Sequence, residues 1–282
     1  MSEPAILSNL RRDPLERTLD RLLNSLITQL GAMSRDTTPE SVHESRIAIR
    51  RLRVALCAMK PYLVTEVRRR YVAALHDFAA DLERSRETDI REASIESLIA
   101  GMGIKHQAAA HRLLVPAARQ RATAARQLKD LVATLAWRRR LSQLQRYSRS
   151  RLVINHAADS LLLIRKAIAR HERHLQRALR HLCHKPRKLH RLRLRIKAQR
   201  YLEEDFLSAL ATPPDRQLKR LRKLQDRLGE YHDNWCLKKW LGTQAASHAI
   251  ARGLRGELNA QQEHLFKAIH RLCRRVRKLG NT

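Results

Sequence analysis

Val42-His43-Glu44-Ser45-Arg46-Ile47-Ala48-Ile49-Arg50-Arg51-Leu52-Arg53 carries cations at His43, Arg46, Arg50 and Arg53, in steps of 3, 4 and 3. At 100° per residue these four positions share an arc of roughly 80° on an α-helix. Val42, Ile47, Ile49, Val54 and Leu56 place apolar surface elsewhere around the turn. Thr38-Pro39-Glu40 predicts a cap, an N1 proline and an early carboxylate, and Pro61 marks the stop. The stretch reads as a helix with a cationic stripe about 15 Å long.

The pattern returns in Leu189-His190-Arg191-Leu192-Arg193-Leu194-Arg195-Ile196-Lys197-Ala198-Gln199-Arg200, with His190, Arg193, Lys197 and Arg200 again spaced 3, 4 and 3. The two stripes lie 147 residues apart. Each is followed by a similar tail, Leu82-Glu83-Arg84-Ser85-Arg86-Glu87-Thr88-Asp89 and Leu224-Gln225-Asp226-Arg227-Leu228-Gly229-Glu230-Tyr231-His232-Asp233. From histidine to aspartate the separations are 46 and 43 residues. A duplicated half is the simplest origin of such a pair.

Charge sets the partner class. The 282-residue chain has 58 Lys plus Arg against 27 Asp plus Glu, a formal +31. Even with every carboxylate paired, cations remain in large excess. Of the 58, 13 are lysine and 45 arginine, the residue whose permanently charged planar fork matches phosphate oxygens. Such an excess calls for a polyanion. At 43% hydrophobic residues the chain is no disordered basic tail, and the length suffices for a sizeable core.

Leu and Ala dominate, aromatics reach only 4%, and no stretch of strict alternation is long enough for a strand, so the chain is predicted to be all-α. Asp13-Pro14-Leu15-Glu16 opens a first helix with Leu15, Leu19, Leu22, Leu23, Leu26, Ile27 and Leu30 on one face and Gly31 as its C-cap. A third helix is expected from Thr65 to about Arg84. A turn at Ser85–Asp89 then leads into a short helix from Ile90 to Ala100, closed by Gly101-Met102-Gly103. Pro116 suggests a kink, Ser148-Arg149-Ser150 a link between halves, and His184-Lys185-Pro186 a break before the second stripe. After Thr212-Pro213-Pro214-Asp215, one helix should reach Gly229, another span Asp233–Leu241, and a long one end at Leu279.

The two HxxRxxx[RK]xxR helices, each followed by a tail ending in aspartate, resemble the CHAD family, the conserved-histidine α-helical domains. The resemblance runs from about Asp13 to Leu279. The Leu224–Gly229 tail is the closer match, while the first tail has Ser85 where the family pattern has glycine. The resemblance implies two helical bundles related by a pseudo-two-fold axis and packed into one compact unit, here halves 13–147 and 151–282 of a domain spanning 13–282. It further implies that the basic helices bind inorganic polyphosphate, and it suggests a location at polyphosphate granules. In the family this domain is often joined to a triphosphate-processing catalytic domain; the expectation here is a stand-alone domain.

The chemistry of the side chains agrees with that role. Arg46, Arg50, Arg53, Arg193 and Arg200 are expected to grip successive phosphates and Lys197 to act as a point charge. His43 and His190 should gain charge beside a phosphate, so binding should strengthen as pH falls through the low sixes. Arg51, Lys219, Arg220 and Lys223 are second-tier candidates. Asp89 and Asp233 are assigned structural roles as caps or arginine anchors, and Glu203-Glu204-Asp205 an exposed run that screens arginines. His171, His174, His181 and His184 match no metal-ligand spacing.

No convergent carboxylates, P-loop, GxSxG or Cys/His pair points to catalysis, and neither a cofactor nor a metal is expected. The alternative is a nucleic-acid-binding protein, since +31 favours any phosphate backbone. Few aromatics and no recognition-helix motif count against it. Cys57, Cys183, Cys236 and Cys273 form no CxxC and read as small reduced core residues of a cytoplasmic protein. No apolar run approaches a membrane span.

Overall fold

The structure, a computed structural model, describes residues 13–100, 107, 111–147, 160–206, 215–243 and 248–277. Among these residues it is all-α. The helices are α1 (Pro14–Arg35), α2 (Pro39–Ala58), α3 (Thr65–Ala100), α4 (Leu114–Ala133), α5 (Leu135–Tyr147), α6 (Ser160–Arg180), α7 (Pro186–Phe206), α8 (Asp215–Leu241) and α9 (His248–Arg277), with a 3-10 turn at Lys60–Tyr62.

The predicted starts are built as their chemistry requires. Asp13 Oδ1 accepts from the Leu15 amide at 2.7 Å and Pro14 occupies the first turn of α1. At α2, Thr38 Oγ1 accepts from the Ser41 amide at 3.1 Å while Ser41 Oγ accepts from the Thr38 amide at 3.0 Å, a reciprocal capping box. Pro186 likewise opens α7.

Several predicted breaks are absent. Thr65–Ala100 is one continuous helix of 36 residues, so Ser85–Asp89 is helical and not a turn. It contains no glycine or proline, and the buried Thr88 hydroxyl satisfies itself on the Ser85 carbonyl at 2.8 Å. Asp215–Leu241 also runs unbroken through Gly229. Gly31 lies inside α1, which ends at Arg35, and Pro116 sits in the first turn of α4, where proline needs no kink. The real interruption is Thr134, whose Oγ1 accepts from the Trp137 amide at 3.1 Å and caps α5. Gly101-Met102-Gly103 and Ser148-Arg149-Ser150 lie outside the described residues.

The chain divides into two compact units, each discontinuous. The first takes the described residues of Met1–Arg84, Gln127–Glu172 and Tyr201–Pro213; the second takes those of Ser85–Arg126, Arg173–Arg200 and Pro214–Thr282. These units do not coincide with the halves 13–147 and 151–282, because α3, α4, α6 and α7 run across the boundaries. Continuous helices carry each half into both units.

In the first unit, Leu15, Leu19, Leu22, Leu26 and Leu30 of α1 pack with Leu52, Leu56, Phe78 and Trp137. Phe78 and Trp137 meet edge to face at 5.0 Å, and the Trp137 indole donates to Ser34 Oγ at 2.9 Å. The second unit has two cores, one around Leu221, Leu224, Leu228 and Tyr231, the other around Ile95, Leu237, Trp240 and Leu258. Only Cys273 is buried there, and burial pushes its thiol up to about 12; Cys57 and Cys236 are exposed, contrary to expectation.

Glu203-Glu204-Asp205 is not exposed either: Glu203 and Asp205 are 3% and 2% accessible. Arg51 Nη1 donates to Asp205 Oδ1 at 2.5 Å and Nη2 to Glu204 Oε2 at 2.6 Å, with the guanidinium 5.0 Å above the Tyr201 ring. Arg21 Nη2 adds a bond to the Asp205 carbonyl at 2.7 Å. Burial still holds the Asp205 carboxyl above the usual range, against the pull of Arg51 and Arg21. Removing Arg51 strands a buried charge, so Arg51→Met should cost about 3–5 kcal/mol in urea unfolding at pH 7. Because Asp205 then takes up a proton more readily in the folded state, stability falls as pH rises, and the deficit should shrink at pH 5. An equal deficit at both pH values would contradict this account.

Candidate anion-binding site

Each cationic stripe belongs to one unit and is set by the face its helix buries. On α2, Val42, Ser45, Ile49, Leu52 and Leu56 turn inward, which leaves His43, Arg46 and Arg50 half-buried and Arg53 exposed. Arg46, 17% accessible, donates from Nη1 to Glu83 Oε2 at 2.9 Å. Glu83 is 54% accessible, so the pair is solvent-facing and worth at most about 1 kcal/mol. A phosphate competes readily for such an arginine.

On α7, Leu189, Leu192 and Ile196 turn inward, and His190, Arg193, Lys197 and Arg200 are half-buried along the other face. Arg200 Nε donates to the neutral amide oxygen of Gln225 at 3.1 Å. Arg193 lies flat against Gly229 of α8: a β-carbon there would stand 3.4 Å from Nη2 and 3.6 Å from Nε. The Arg193 Nε is buried and, among the described residues, meets no hydrogen-bond acceptor. A buried charged donor without an acceptor is costly, and an anion oxygen is its natural complement.

His232 of α8 joins this group, a residue the spacing rule missed. Its ring packs against that of His190, tilted by 33° with centroids 4.6 Å apart. Asp233 Oδ1 stands 3.4 Å from His232 Nδ1 and Cys236 Sγ 3.7 Å from the same nitrogen. The Asp233 carboxylate, with help from Cys236, pushes the His232 imidazole up to about 9 despite burial. The raised value favours the charged imidazole at neutral pH, in contact with His190. The only hint of it in sequence is the His232-Asp233 pair, 42 residues beyond His190.

The remaining candidates separate by their contacts. Arg51 is held by Glu204 and Asp205 and so is an internal anchor, not a ligand group. Arg220 reaches the Arg275 carbonyl at 3.4 Å, while Lys219 and Lys223 are exposed on α8. Asp89 anchors Arg121 at 3.1 Å, as its assigned role requires, whereas Asp233 serves His232. His184 stacks on Phe266 at 4.2 Å. Among the described residues, no group of three or more His, Cys, Asp or Glu side chains is placed to hold a metal ion. No described helix is long and apolar enough to cross a membrane.

The model of the CHAD domain family matches residues 17–242. A comparison with curated proteins finds no match. Among solved structures, PptA from Streptomyces chartreusis aligns with a TM-score of 0.72 at 16% identity, over 93% of this chain and 97% of that one. The CHAD domain from the plant Ricinus communis aligns with a TM-score of 0.71 at 19% identity, over 93% and 90%. At such identities the likeness is one of fold.

Two measurements probe this geometry. The raised His232 gives stability that is fully present below its unfolded value of about 6.5 and lost as pH rises through about 9. The neighbouring His190, Arg193, Asp233 and Cys236 are unchanged in His232→Gln, so its melting temperature should depend less on pH across that window; an unchanged slope would contradict the assignment. Gly229→Ala should gain up to about 1 kcal/mol in helix propensity, since its β-carbon only reaches ordinary contact. Gly229→Leu should instead push Arg193 aside and lose that gain in urea unfolding.

Proposed function

The chain belongs to the CHAD domain family, and from that premise we propose that it binds inorganic polyphosphate, without catalysis, through the half-buried basic faces of α2 and α7. Polyphosphate is what the family resemblance implies for the paired stripes, and granules in the cytoplasm are the proposed setting. The observation that carries the reading is Arg193. Its buried Nε meets no acceptor among the described residues, and its guanidinium lies against Gly229. The proposed contact set is His43, Arg46, Arg50 and Arg53 on α2, and His190, Arg193, Lys197 and Arg200 on α7. His232 is added; Arg51 is left out.

A linear phosphate polymer suits this surface physically. Its charges recur at short intervals without bases, so a rigid row of arginines can engage successive units while their mutual repulsion is relieved. The rigidity comes from helices rather than loops, so little ordering entropy opposes binding.

The test is a titration of the purified chain with long-chain polyphosphate at physiological salt, with DNA, RNA and tripolyphosphate as competitors. Arg46→Ala/Arg50→Ala and Arg193→Ala/Lys197→Ala should each lower affinity by about 100-fold or more, the equivalent of two charged contacts. Nucleic acid should compete poorly. Equal binding of DNA, with losses no greater than for two exposed arginines elsewhere, would reduce the protein to a general polyanion binder.

A further inference from the structure

A second cleft in the second unit has a different chemistry. It is an open cleft of about 700 Å³ between α8, α9 and the start of α7, within the range of about 300–1,000 Å³ usual for small-molecule sites. Trp235 supplies its aromatic surface, and Lys238, Lys239 and Arg255 its charge. None of these belongs to the stripe contacts.

Two of its lining residues hold unanswered donors. Gln262 is 6% accessible, and its buried Nε2 has no hydrogen-bond partner. The Arg255 Nε is buried and likewise unpartnered. Gly242 makes room for the guanidinium: a β-carbon there would stand 3.1 Å from Arg255 Nη2 and 3.0 Å from the Lys239 carbonyl. Buried polar groups are nearly always satisfied, and two residues that line one cleft each hold a donor without a partner among the described residues, which favours a ligand rich in acceptors.

The aromatic residue narrows the class further. Lys239 Nζ lies 5.0 Å over the Trp235 ring, which brings a cation and a π-surface into one grip. Glu263, 3.5 Å from His184 Nδ1, is the single carboxylate among the lining residues and a suitable acceptor for sugar hydroxyls. A bare phosphate polymer would leave Trp235 unused. We propose that this cleft binds a nucleoside diphosphate, with its phosphates on Lys238, Lys239 and Arg255 and its base against Trp235.

Calorimetric titration of the full chain with ADP and GDP, against adenosine and pyrophosphate, tests this. A nucleoside diphosphate should bind saturably and at least about tenfold more tightly than either fragment. Arg255→Gln and Gln262→Leu should each weaken it by about tenfold, one charged or buried hydrogen bond apiece. Trp235→Leu should bring it down to the level of pyrophosphate. In all three variants long-chain polyphosphate affinity should hold, and nucleotide affinity should survive Arg193→Ala/Lys197→Ala. Should Gln262→Leu fail to fold, the half-buried Arg255 position decides alone. The proposal is overturned if nucleotide binds no better than pyrophosphate, or if the Arg193/Lys197 variant abolishes it while Arg255→Gln does not.

Discussion

Electrostatic repulsion is the constraint on which this structure depends. With 58 Lys and Arg and only 27 Asp and Glu, the chain must fold helices that carry like charges one turn apart. The carboxylates are placed where a cation has to be half-buried. Glu204 and Asp205 hold Arg51, Asp89 and Glu92 hold Arg121, and Asp81 holds Arg140. Along the stripe of α7 the pattern changes. Arg200 meets the neutral amide of Gln225, and the buried Arg193 Nε meets no acceptor among the described residues. Leucine-rich cores bear most of the stability.

This division explains what could be read from sequence. Apolar positions of α1 and α2 follow helical spacing, and caps such as Asp13-Pro14 and Thr38-Ser41 are local chemistry, so both were legible. Helix length was not. Ser85–Asp89 looks like a turn because it is polar, yet nothing in it breaks a helix, and Ser85 and Thr88 are buried by packing that no local rule encodes. Gly229 misleads for a related reason. It lies inside the continuous helix α8, against the Arg193 guanidinium of α7, yet resembles a turn signal in one dimension.

The same limit applies to the site. The stripe residues share one helix face, so spacing alone finds them. His232 enters from α8 by packing against His190 of α7, and its charge depends on Asp233 beside it. Arg51 errs in the opposite direction: it sits one residue from the stripe, but its partners come from Glu204 and Asp205, more than 150 residues away. Whether a cation serves the fold or a ligand is decided by long-range carboxylates, and these are invisible to periodicity.

An unanswered charge also links binding to folding. A protein that leaves cations uncompensated holds electrostatic strain in its native state, and that strain is relieved only when an anion arrives. Ligand affinity and the stability gained on binding are then the same free energy, expressed as RT ln(1 + [L]/Kd). Had carboxylates neutralised Arg193 and the faces around it, the bare protein would be firmer and the site empty of attraction. The cost is bearable because the stripes lie on helices whose opposite faces are fully packed: Leu189, Leu192 and Ile196 lie beneath one, Val42, Ile49 and Leu52 beneath the other. Packing on the inner face thus permits repulsion on the outer one and leaves that face available to an anion.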